Sequence, residues 1–143
     1  MKTLSRILLL ATVFASAANA AESSLNIQAI SAAEINNSRA PESDVVSTGQ
    51  PTADQFKIMA DLGVKHVINL RTPGEDAGFD EKMAVESLGM SYHNIPVSVG
   101  DGGINADNAQ SLQNLLDEFG GDGVVVHCAT GNRVGALISL SVF

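Results

Sequence analysis

The chain has a single cysteine, Cys128, so no disulfide can staple it from within. Basic residues are scarce too: eight Lys and Arg stand against sixteen Asp and Glu. Such a surface argues against nucleic acid and anionic membranes as partners. It admits an anionic substrate only where a local pocket reverses the overall field. Apolar runs are also short. The longest, Ile7 to Ala18, falls below the roughly 20 residues a membrane span needs, and no other segment could cross a bilayer. No internal repeat or low-complexity array is visible. His66 and His93 show no metal-ligand spacing with each other or with Cys128, and a zinc site is not expected.

What is present begins with a leader. Lys2 and Arg6 precede the apolar stretch, and Ala18-Asn19-Ala20 supplies small residues at the cleavage positions. Residues 1–20 are expected to be a signal peptide cut before Ala21, which predicts a periplasmic or secreted protein. The leader holds two of the basic residues and none of the acidic ones. The remaining 123 residues therefore set six basic against sixteen acidic side chains, a formal charge of −10. That length is enough for one domain with its own core. In an exported protein a lone thiol is reactive, bridged to another chain, or buried and inert.

Residues 21–44 are polar and rich in Ala, Ser and Asn, with one short element around Ile27 to Ile35. They read as a tether or N-terminal strap. Regular patterning starts at Val45. Thr52 followed by Gln55 is a capping box, Phe56, Met59 and Ala60 give a helical apolar face, and Gly63 is a stop. Val67 to Leu70 reads as a buried strand, Thr72 to Glu75 as a turn, Asp80 to Leu88 as a helix, and Ser91 to Pro96 as another strand. A Gly/Asp loop over Ser98 to Gly103 leads into a helix opened by Asn105 or Ala106. Its core stripe is Leu112, Leu115, Leu116 and Phe119. Strands alternating with helices predict an α/β domain with a mainly parallel central sheet covered on both faces. Val134 to Phe143 is apolar all round and has no capping residue, so the C-terminal helices are expected to be truncated.

The chemistry is concentrated in Val124-Val125-Val126-His127-Cys128-Ala129-Thr130-Gly131-Asn132-Arg133. Successive N–H groups in a strand-to-helix turn can converge on an anion, and the following helix adds its positive end. Both favour a thiolate. Arg133 offers a planar fork suited to two phosphate oxygens.

This segment resembles the signature of the cysteine-dependent protein tyrosine and dual-specificity phosphatases. The upstream order agrees: Val67 to Arg71, Glu75, Gly89 to Tyr92, and Ile95-Pro96-Val97 before an Asp-bearing loop. With Thr48-Gly49-Gln50-Pro51 it is closer still to a bacterial phosphatase-like group often described as beta-lactamase-hydrolase-like. The likeness runs from Val45 to Phe143 and implies a dual-specificity-phosphatase-like domain over 45–143. It implies Cys128 as nucleophile and residues Ala129, Thr130, Gly131, Asn132 and Arg133 as phosphate binders. His127 would support the loop, and Asp101 would be the general acid, with Asp107 in reserve. The substrate would be a phosphorylated small molecule or phosphoprotein, and no cofactor is required.

The sequence departs from the family in two places. Four residues, not five, separate Cys128 from Arg133, and Val134 stands where the family has the Ser or Thr that helps the thiolate leave. The shorter spacing also resembles small rhodanese domains, where Cys128 would carry a persulfide, although no Gly-His-Ile segment accompanies it. An anion-binding module without turnover is a third reading. Arg71 is expected to anchor the fold through Glu75.

Overall fold

The computed structural model describes residues 25–100 and 102–141. The expected leader and Asp101 lie outside the described residues. Among the described residues nine elements follow in chain order: α1 (Ile27–Ala32), β1 (Val45–Thr48), α2 (Ala53–Asp61), β2 (Val64–Asn69), α3 (Glu81–Ser87), β3 (Ser91–Asn94), α4 (Ala106–Phe119), β4 (Gly123–His127) and α5 (Asn132–Ser141).

The four strands form one sheet in the order β1-β4-β2-β3, and every pairing is parallel. The expected α/β architecture is therefore present. Strand β4, buried at all five positions, lies between β1 and β2. Its run of valines is what a strand covered on both faces requires. Side-chain alternation splits that run: Val124 and Val126 pack with Ala109, Leu112 and Phe119 of α4 and with Val134 and Leu137 of α5. Val125 faces Ile30, Phe56, Met59 and Val85 from α1, α2 and α3. Burial of Phe56, Met59 and Leu112 stabilises the domain by roughly 1.5–3 kcal/mol each. Among the described residues no helix is long and apolar enough to cross a membrane.

Local signals set the helix starts. The Thr52 side chain accepts from the Gln55 N–H while Gln55 Oε1 accepts from the Thr52 N–H, the reciprocal pair expected of a capping box. Asp80 caps α3 through the Met83 N–H, and Asn105 caps α4 through the Asn108 N–H. Ahead of β1 the chain is packed rather than loose: Leu25, Ile30 and Ile35 are buried against the second face. Arg39 and Ser47 exchange backbone hydrogen bonds of 2.9 and 2.8 Å in an antiparallel bridge.

Two strand boundaries differ from expectation. Strand β2 starts at Val64, because Lys65 and His66 belong to its exposed, irregular first half. Strand β3 stops at Asn94, short of Pro96, although the Ile95 and Val97 N–H groups still donate to Asn69 O and Leu70 O at 3.0 Å. Because the sheet is parallel, the loops after β1, β2 and β4 all emerge at one edge, where open α/β sheets place their sites.

Candidate active site

At that edge β4 ends in His127, and Cys128 begins a turn that closes at Gly131, directly before α5. Gly131 has φ +88°, a conformation that strains any residue with a Cβ. Its N–H donates to the Cys128 sulfur at 3.0 Å. Cys128 is fully buried and Gly131 is buried, whereas Ala129, Thr130 and Asn132 are exposed. The segment Thr48-Gly49-Gln50 braces the turn from behind. The Cys128 N–H reaches Thr48 O at 3.4 Å, and the Gln50 N–H donates to Ala129 O at 3.1 Å.

Arg133, from the first turn of α5, returns to the same point. Its Nη1 donates to Glu75 Oε1 at 2.6 Å and to Val97 O at 2.9 Å, and its Nη2 to Glu75 Oε2 at 2.5 Å. The end of the guanidinium fork is thus committed to a carboxylate. The other edge, Nε–H with the second Nη2–H, is not used by Glu75. Hydrogen bonding from Arg133 outweighs burial and pulls the Glu75 carboxyl down to about 2. In return the bond to Glu75, helped by the Cys128 sulfur nearby, raises Arg133 further above its ordinary value. A permanent cation is therefore fixed beside the thiol.

A second row of polar groups lies beneath His127. Its Nε2 is 2.8 Å from Oε1 of Glu81, which is buried in the first turn of α3. Gln50 Nε2 donates to the other oxygen of Glu81 at 2.6 Å, and Arg71 Nη1 donates to Gln50 Oε1. Burial pushes the Glu81 carboxyl up, but its bond to His127, the charges of His127 and Arg71, and the bond to Gln50 hold it below its usual value. The row runs from Arg71 through Gln50 and Glu81 to the residue before the nucleophile candidate. The buried Nδ1 of His127 has no hydrogen-bond partner among the described residues. A cavity of about 460 Å³ opens beside this row, walled by Asn69, Arg71, Glu75, Glu81, Tyr92 and Asn94. None of the residues 128–133 lines it.

The structure therefore brings Cys128, Gly131 and Arg133 together, with His127 on the opposite sheet face behind them. Asp107 is exposed in the first turn of α4. Arg71 meets Glu75 chiefly through the backbone carbonyl, to which Nη2 donates. The Glu75 carboxylate lies 3.9 Å from Arg71 Nε but is held more closely by Arg133. Glu81 escaped sequence reasoning because an acid in a first helical turn normally faces water.

A beta-lactamase hydrolase-like protein of Xylella fastidiosa is 37% identical over 98 residues, which cover 66% of this chain and 22% of that one. A solved DUF442 phosphatase-like protein from Shewanella putrefaciens CN-32 superposes with a TM-score of 0.67 at 26% identity, covering 78% of this chain and 70% of that one. These likenesses fit a fold and sequence of the protein-tyrosine-phosphatase-like kind. The fold also matches P. aeruginosa TpbA, solved with a cysteine-to-serine change and in complex with phosphotyrosine. That likeness has a TM-score of 0.52 at 19% identity, over 71% of this chain and 59% of that one. The chain spans about a fifth of the length of the curated relatives it matches. No family model matches the chain.

Proposed function

We propose that the protein is an exported, cysteine-dependent hydrolase of phosphate monoesters that works through a thiophosphate intermediate. The observation that carries this reading is the convergence on Cys128 of the Gly131 N–H, at 3.0 Å, and the carboxylate-braced Arg133. The Cys128 thiolate attacks phosphorus: an S–P bond forms as the bond to the leaving oxygen breaks, and Asp101 gives that oxygen its proton. Water then attacks phosphorus, the S–P bond breaks, and Asp101 takes a proton from the water. Throughout, loop N–H groups and the free edge of Arg133 hold the equatorial oxygens, a preorganised cradle that needs no metal. Export rests on the leader-like first 20 residues.

A second reading, anion binding without turnover, draws on Val134, buried where the superfamily carries the assisting hydroxyl. The test is hydrolysis of an aryl phosphate by the wild type and by Cys128→Ser. Turnover that survives the serine variant would eliminate the nucleophile. No turnover, with saturable phosphate binding lost in Arg133→Ala, would establish the binding module. Thiocyanate formed from thiosulfate and cyanide would instead mark a sulfurtransferase with a Cys128 persulfide.

A further inference from the structure

The four-residue turn between Cys128 and Arg133 is held from outside by a part of the chain that precedes β1. Asn37 Nδ2 donates to Thr130 O at 2.9 Å, across 93 residues of sequence. In the next peptide back, the Gln50 N–H takes Ala129 O. The described peptides are all trans, so a carbonyl pulled outward turns the N–H of the same peptide inward. For the peptide that Asn37 grips, that inward group is the Gly131 N–H, the one found 3.0 Å from the Cys128 sulfur.

The approach is close and well anchored. A Cβ on Gly131 would sit 2.8 Å from Asn37 Nδ2. Buried Ile35 fixes the segment on one side and the Arg39–Ser47 bridge on the other. Between them the Gly49 N–H donates to Asn36 O at 2.7 Å. Asn37 itself has φ +52°, a left-handed conformation that Asn adopts more readily than most residues.

We propose that Asn37 is a positioning residue for the Cys128 turn: by drawing the Thr130 carbonyl outward it keeps the Gly131 N–H on the sulfur and so favours the thiolate. This rests on the reading of Cys128 as an anion-facing thiolate, not on phosphate turnover. Asn37 acts through the peptide and does not touch the sulfur.

The lone cysteine makes the test clean, because the ultraviolet absorbance of the thiolate can be titrated with Cys128→Ser as the blank. Asn37→Asp keeps the size and the tolerance for positive φ but loses the donor, and Asn37→Gly keeps only the backbone freedom. Both are expected to displace the titration to higher pH, making the thiolate about three- to tenfold rarer on its rising limb, the worth of one hydrogen bond. Urea melts run alongside establish that the variants are folded. Folded variants that titrate with the wild type would overturn the proposal. Loss of the fold in both would make Asn37 structural and overturn it as well. Aryl phosphate turnover is measured in parallel. A displaced titration in a protein without turnover sinks the phosphatase reading alone, and turnover with an unmoved titration sinks this one alone.

Discussion

Glu75→Gln isolates the brace on Arg133. The native carboxylate accepts from both Nη atoms of Arg133 and, through Oε1, from the Thr72 N–H at 2.8 Å. Glutamine is close in shape to a protonated glutamate, so the pKa depression from 4.5 to about 2 measures what the charge adds. At about 1.36 kcal/mol per unit the ceiling is roughly 3.4 kcal/mol. The Glu75 side chain is 29% exposed, and solvent screening brings the expected loss at pH 7 to about 2 kcal/mol. The sign follows from a folded-state pKa below the unfolded one. Stability is fully present above pH 4.5 and is lost as pH falls toward 2. By pH 3 roughly 60% of the ceiling should be gone. Urea midpoints of wild type and variant at pH 7 and pH 3 measure this directly. The gap should be wide at pH 7 and less than half as wide at pH 3. Equal stability at pH 7, or a gap indifferent to pH, would refute the ion pair as described. Turnover should also fall at least tenfold, because a guanidinium freed at one end no longer presents its other edge in a fixed place.

Three further outcomes are expected. Glu81→Ala leaves buried groups of His127 and Gln50 without their acceptor and should destabilise by about 3 kcal/mol in urea melts, with Glu81→Gln recovering part of it. Gly131→Ala, at φ +88° and against Asn37, should lose about 1–2 kcal/mol and most turnover. Asp101→Asn should slow substrates with poor leaving groups far more than those with good ones. If only Asp107→Asn does so, the acid is Asp107.

Much of the fold was legible because its signals are local. Thr52 and Gln55 lie three residues apart, Asp80 and Asn105 each cap the N–H three residues on, and the β4 valines announce burial without reference to anything distant. Where local signal was thin the boundaries slipped. Lys65 and His66 hid the start of β2, and β3 was read through to Pro96 although the strand ends at Asn94. The loop chemistry of Cys128 and Arg133 was equally local.

Their supporting groups were not. Glu81 reaches His127 across 46 residues, Glu75 reaches Arg133 across 58, and Asn37 reaches Thr130 across 93. Each looks like an ordinary surface polar residue until the parallel sheet carries the strand ends to one edge. The consequence is chemical as well as topological. Glu75 occupies the end of the Arg133 fork, so under the proposed chemistry an oxyanion over Cys128 would meet only the Nε–Nη2 edge. A turn one peptide shorter than the superfamily pattern must then aim its N–H groups at that edge, and the groups that fix its outer carbonyls are Gln50 and Asn37. The competence of the short turn therefore depends on the segments that brace it as much as on its own four residues.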